Sequence, residues 1–183
     1  MTEAPFDDVL VAAQGGDELA FAQLWRSVNP RLVRYLRTLT PSNAADVASE
    51  TWIQVIRNLS KFAGDEPAFR GWIFTIARNK VTDAQRHDRR RPRTTGDTAL
   101  DAMAAPDDTA LLAMENLTTD SALALIAVLP RDQAEVILLR VVAGLDVATV
   151  ARILGKTPGA IRVNGHRGLR RLQQLVGRPP VSL

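Results

Sequence analysis

The sequence contains no cysteine. That excludes disulfides, thiolate-bound metals and any thiol redox switch within the chain. Histidine is almost as scarce: His87 and His166 are the two present, far apart and without partners at ligand spacing, so no metal site is expected. No apolar run approaches the roughly 20 residues that a membrane-spanning helix needs. The N-terminus, MTEAPFDDVL, is acidic and lacks the basic-then-apolar layout of a signal peptide. These absences predict a cytoplasmic protein that does not insert into membranes. Glycine-rich phosphate loops and helices pairing carboxylates with histidine are also missing, which argues against an enzyme and against a bound cofactor. The nearest approach to a catalytic pair is Asp46 and Glu50, one helical turn apart, and surface docking explains them more simply.

No stretch alternates apolar and polar residues over strand length with β-branched enrichment, so the expected fold class is all-α. Apolar residues make up 46% of the 183, enough for real cores. The net charge is +3, and its distribution is more telling. Residues 1–69 carry a net −3, 70–93 a net +6, 94–139 a net −7, 140–154 a net +1 and 155–178 a net +6. Two basic blocks on patterned helices flank an acidic stretch, a layout that points to a polyanionic partner.

A first helix is expected over about Pro5 to Gln14, closed by Gly15-Gly16. Asp17 is the N-cap of a second, with Ala20, Phe21, Leu24, Trp25 and Val28 on one face. Asn29-Pro30 predicts a break or kink, after which Leu32, Val33, Leu36 and Leu39 continue that face. A third helix spans about Ala44 to Leu59, its stripe widened by Trp52 and Ile56, and Lys61 to Pro67 reads as a loop. The fourth, about Ala68 to Arg90, sets Phe69, Trp72, Ile73, Ile76, Ala77, Val81 and Ala84 on its core face; Phe74 lies off that stripe and is expected to be more exposed. Residues 94–108, rich in Thr, Gly, Asp, Ala and Pro, read as a flexible linker between domains at 1–93 and 109–183. The second domain is expected to hold helices over about Thr109 to Leu129, Arg131 to Ala143, Asp146 to Leu154 and Pro158 to Val176, with no added domain beyond.

The segment LDVATVARILGKTPGAIRVNGHRGLRRLQQLV has the form of a helix-turn-helix. Val147, Val150, Ala151 and Leu154 bury a short helix, Gly155 supplies a left-handed close, and Thr157-Pro158 starts the next. Ile161, Leu169 and Leu172 anchor that second helix. Its N-terminal half would enter the major groove. Arg162 and Asn164 are candidate base readers, because arginine pairs with guanine and asparagine with adenine. Lys156, Arg167, Arg170 and Arg171 suit phosphates, with Thr157 and His166 on the same surface. Gly165 and Gly168 cost helix stability unless they allow close backbone approach. Upstream, FRGWIFTIARNKVTDAQRHDRRR joins an aromatic-rich face to a basic one formed by Arg78, Lys80, Arg86, His87, Arg89 and Arg90, with Asn79 and Gln85 as hydrogen-bonding groups. That combination suits single-stranded DNA, where arginine meets phosphate and unstacked bases meet aromatic rings.

Taken in order, AADVASETWIQVIRNLSKF, FRGWIFTIARNKVTDAQRHDRRR, LPRDQAEVILLRVVAGLDVATVARILGKTPGAIRV and HRGLRRL resemble the extracytoplasmic-function sigma factors of bacterial RNA polymerase. Residues 17–91 resemble their region 2 and residues 120–176 their region 4. The resemblance implies two small helical domains, core polymerase and promoter DNA as partners, and contacts with the β′ clamp helices and the β flap. The helix with Asp46, Glu50, Trp52, Gln54 and Arg57 would dock on the clamp helices. Lys61, Phe62, Arg78, Asn79, Lys80, Asp83, Arg86, His87, Arg89 and Arg90 would capture and melt the −10 element. The C-terminal helix would read the −35 element, and the acidic linker would thread toward the RNA exit path. An anti-sigma factor is a further implied partner. The chain departs from the family at Ser49 and Trp52, where glutamine and phenylalanine are common. It departs again at Val163-Asn164-Gly165, which replace a frequent serine, arginine and leucine and bear on −35 preference rather than docking mode. The competing reading is a free-standing helix-turn-helix regulator of duplex operators. The single-strand-type basic helix and the acidic linker argue against it.

Overall fold

The computed structural model describes residues 4–90 and 119–176, with the side chains of 87–90 outside that set. The expected linker at 94–108 and the expected helix start at Thr109 lie outside the described residues. All regular structure among the described residues is helical. The order is α1 (Phe6–Gln14), α2 (Glu18–Leu39), a 3₁₀ turn (Pro41–Asn43), α3 (Ala44–Asn58), a second 3₁₀ turn (Leu59–Lys61) and α4 (Glu66–Arg90). Then come α5, described over residues 119–127, α6 (Arg131–Ile137), α7 (Val147–Leu154) and α8 (Pro158–Val176).

The capping residues set most of these bounds. The Asp17 carboxylate accepts from the Ala20 N–H at the start of α2. Asp65 does the same for Ala68 at 2.9 Å, so α4 begins at Glu66, two residues before the apolar periodicity alone suggests. Pro30 does not end the helix: α2 runs unbroken from Glu18 to Leu39. One missing N–H is outweighed there by a continuous buried stripe of Leu24, Val28, Leu32, Tyr35 and Leu36. The expected helix from Arg131 also differs. It is α-helical to Ile137 and then widens into a π-helical turn over Leu138–Val142, ending at Gly144.

Helices α2, α3 and α4 form a bundle, with α1 laid against α2 through Val9, Leu10 and Ala13. Its centre holds Tyr35, Phe69, Ile73, Phe74 and Val55, none measurably exposed. Phe74, expected near the surface, is fully buried and meets Tyr35 edge-on at 5.3 Å. An aromatic ring off the main stripe of α4 is retained because α4 is covered on more than one side. In the second half, α8 packs on α6 and α7 around Val136, Leu138, Leu139, Val150 and Ile161. The two halves touch: α4 meets α7, and α2 meets the π-helical turn. A Cβ added to Gly71 of α4 would sit 2.9 Å from Thr149 Cγ2 of α7, so the bare glycine permits this approach.

The two glycines of α8 are unequal. A Cβ at Gly168 would lie 2.6 Å from Ile137 Cδ1, whereas one at Gly165 would lie 3.5 Å from Val136 Cγ1, an ordinary contact. Gly168 is therefore the close-approach position, and Leu169, expected as an anchor, is half exposed beside it. Gly168→Ala is expected to lose about 1–3 kcal/mol through overpacking. Gly165→Ala is expected to gain up to about 1 kcal/mol of helix propensity. Urea unfolding followed by circular dichroism measures both, and equal effects at the two positions would refute the packing account.

Candidate nucleic-acid and polymerase interface

Three surfaces gather the residues singled out by the sequence. The first is the outer face of α3. Asp46, Glu50, Gln54 and Arg57 are exposed there. Trp52 is not: it is buried, its indole N–H donates to Asn29 Oδ1 at 2.9 Å, and its ring meets Phe21 edge-on at 6.1 Å. Trp52 therefore supports the face from behind and is removed from the contact set. Ile56, which was expected to widen the apolar stripe, is about half exposed, and so is its neighbour Ile53. Two isoleucines thus stand in water between charged neighbours, and only their offset from the Val47, Thr51, Val55 stripe could have revealed them.

The second surface joins the segment after α3 to α4. Phe62 stacks on Trp72 with ring centroids 5.0 Å apart and planes inclined by 24°. Beside this pair lies a cavity of about 490 Å³ lined by Gln54, Asn58, Lys61, Phe62, Trp72 and Ile76. Two amides, one cation and an aromatic wall face that space. Along α4, Asn79, Asp83 and Arg86 are exposed, with Arg86 and Asp83 3.8 Å apart. Lys80 reaches Glu50 of α3 at 3.1 Å, so the first two surfaces adjoin. Arg78 is placed differently: its Nε donates at 3.0 Å to Glu135 of α6, in the other half of the molecule. The side chains of His87, Arg89 and Arg90 lie outside the described residues, although the α4 backbone extends through them.

Sequence reasoning missed Glu135. It is 5% exposed, and the same oxygen that takes the Arg78 bond is 3.5 Å from the Tyr35 hydroxyl. Burial first, and the Glu135 charge second, push the Tyr35 phenol well above its ordinary range, so it stays protonated. Its signal in the sequence was a glutamate inside an otherwise apolar run, AEVILL.

The third surface is the helix-turn-helix. Asp146 caps α7, accepting from the Thr149 N–H at 2.9 Å and from its hydroxyl at 2.8 Å. Gly155 closes α7 with φ +62°, and Thr157 caps α8 through the Ala160 N–H. Arg162, Val163, His166, Arg167 and Arg170 project outward from α8, and among the described residues no ion pair engages those arginines. Lys156 pairs with Asp132, and Arg171 reaches Gln133 at 3.5 Å. Asn164 is half-buried, and its amide donates to the Ala160 carbonyl of its own helix at 3.0 Å. Of the two candidate base readers, Arg162 thus projects outward and Asn164 is engaged within its own helix. No helix among the described residues is long and apolar enough to cross a membrane.

Comparisons with known proteins cover both halves of the chain. The profile of Sigma-70 region 2 matches residues 24–91, and that of Sigma-70 region 4 matches residues 119–172. The ECF RNA polymerase sigma factor BldN of Streptomyces coelicolor is 33% identical over 174 residues, covering 92% of this chain and 65% of BldN. The ECF RNA polymerase sigma factor ShbA of Streptomyces griseus is 36% identical over 172 residues, covering 87% of this chain and 89% of ShbA. Among solved structures, the sigma factor RpoE, in complex with the anti-sigma factor NepR from Bartonella quintana, shares the fold. Its TM-score is 0.64 at 23% identity, over 85% of this chain and 96% of that one.

The α7 cap gives a test of the local fold. Its hydrogen bonds, the Thr149 N–H foremost, hold the Asp146 carboxyl below the usual carboxylate range. A folded-state pKa below the unfolded one adds stability at neutral pH that is lost as pH falls through the acid range. Asp146→Ala is expected to cost about 0.5–2 kcal/mol at pH 7, with the gap to the parent narrowing below about pH 4. Urea titrations at several pH values read this directly, and a gap independent of pH would refute it.

Proposed function

The chain belongs to the extracytoplasmic-function group of sigma-70 factors, and on that premise we propose how its surfaces divide the work of transcription initiation. The α3 face with Asp46, Glu50, Ile53, Gln54, Ile56 and Arg57 docks on the β′ clamp helices of core polymerase. Lys61, Phe62 and the exposed face of α4 take the −10 element. The cavity beside Phe62 and Trp72, within the roughly 300–1,000 Å³ typical of ligand pockets, holds an unstacked base. Asn79, Lys80 and Arg86 follow its strand, joined by the α4 residues His87, Arg89 and Arg90. Helix α8 enters the −35 major groove, with Arg162 reading a base and His166, Arg167, Arg170 and Arg171 on phosphates. The observation that carries this reading is one chain holding both a capped helix-turn-helix with unpaired arginines and a basic helix beside an aromatic-walled cavity. The protein supplies promoter specificity without catalysis of its own, works in the cytoplasm with core polymerase and its β flap, and is held in check by an anti-sigma factor.

Run-off transcription with core polymerase on a promoter library tests the reading. Added protein is expected to direct initiation from promoters sharing both elements; failure to bind core enzyme or to initiate would reject it. Within the same assay, Arg162→Ala is expected to cost about 1–3 kcal/mol at a single −35 base pair. A loss uniform across sequences would instead make Arg162 a phosphate contact.

The reading also requires motion. Elements centred about 25 base pairs apart lie roughly 85 Å apart at 3.4 Å per pair. A compact chain of this length has a radius of gyration of about 16 Å. The two halves, joined through Arg78–Glu135 and Gly71–Thr149, must separate before both elements are gripped. With no native cysteine to compete, Gly71→Cys with Thr149→Cys provides a lock, because a Cβ at Gly71 would lie against the Thr149 side chain and a disulfide needs such closeness. Oxidised protein is expected to lose promoter-directed transcription and to regain it on reduction. Full activity of the crosslinked form would show that separation is unnecessary.

A further inference from the structure

Helix α1 precedes the residues matched by region 2, yet its last side chain grips the −10 segment. Gln14 Nε2 donates to two backbone carbonyls, Leu59 at 2.9 Å and Phe62 at 2.8 Å. Both lie more than forty positions downstream. The amide orientation follows from chemistry: two carbonyl acceptors demand the nitrogen, not the oxygen. Leu59 is where α3 tightens into its 3₁₀ turn, and its carbonyl also receives the Phe62 N–H at 3.0 Å. Gln14 therefore fixes both ends of the segment that presents Lys61 and Phe62. The remainder of α1 is a rigid mount. Val9, Leu10 and Ala13 are buried, and Phe6 packs on Phe69 at 5.7 Å, the same Phe69 that meets Phe62 edge-on at 5.3 Å.

We infer that Gln14 is a positioning residue for −10 recognition, setting the wall of the open pocket formed by Lys61, Phe62 and Trp72. The inference rests on the assignment of that segment to the −10 element. A flexible loop would lose part of its contact energy to ordering the backbone each time a base enters; two hydrogen bonds from a mounted amide pre-order it. Gln14 touches no nucleic acid in this role, and its effect passes through the Phe62 carbonyl and ring.

The test uses the full chain with core polymerase and a promoter library randomised at both elements. Gln14→Glu keeps the shape and sets acceptor oxygens against two carbonyls. Gln14→Met keeps the packing and removes the donors, and serves where the glutamate variant fails to fold. Discrimination at one or two −10 positions is expected to fall about tenfold, the scale of 1.4 kcal/mol. Selectivity at −35 and affinity for core polymerase are expected to stay within about twofold, a separation that general destabilisation would not produce. Unchanged −10 discrimination in a folded variant, or an equal loss at both elements, would overturn the inference. Should the unmodified chain show no promoter preference at all, the sigma-factor reading itself falls and takes this role with it.

Discussion

The buried carboxylate of Glu135 governs how the two halves of the molecule stand to one another. A lone carboxylate shielded from water is among the most costly groups a fold can hold. Glu135 is tolerable because Arg78 and the Tyr35 hydroxyl meet it from the other half. The contact is therefore conditional. Packed together, the groups satisfy one another; pulled apart, each recovers its hydration, so the desolvation cost is returned on opening. A purely apolar seam would offer no such return and would resist separation in proportion to its area. An ion pair across a seam is thus suited to the separation proposed for the two halves.

Local chemistry made most of the fold readable in advance. Asp17, Asp146, Gly155 and Thr157-Pro158 announce helix ends by hydrogen bonds made within three residues, and such signals survive in the linear sequence. Several of the errors concern which side of a helix is covered. Phe74 and Leu169 were each misjudged because burial depends on a second or third neighbour that periodicity along one helix does not encode. Phe74 is buried by an edge contact to Tyr35 from α2, and Leu169 is exposed because the close approach to α6 is made through Gly168 instead. The candidate site was legible in outline for the same reason. A basic helix beside aromatics and a capped helix-turn-helix are local patterns. Gln14 left no local signal, and those of Glu135 and the Ile53–Ile56 pair were faint, because all are defined by partners, or by exposure, set far away in sequence.

The ion pairs give a common logic to the DNA-facing residues. Lys80 is held by Glu50, Arg86 by Asp83, Lys156 by Asp132 and Arg78 by Glu135. Each carboxylate neutralises a cation that is expected to meet DNA, and affinity for a polyanion scales with the number of phosphates neutralised. The first three pairs are solvent-exposed and contribute little, on the order of 0–1 kcal/mol, so a phosphate displaces them readily. The Arg78 pair is different in kind, because its carboxylate is buried and comes from the other half. DNA cannot displace Glu135 by simple exchange at the surface; Arg78 becomes available only when the halves part. Duplex contact through α8 needs no such step, since Arg162, Arg167 and Arg170 already stand free of ion pairs among the described residues. On the proposed division of surfaces, the −35 face is accessible while the halves are packed together, and Arg78 joins the −10 face only once they part.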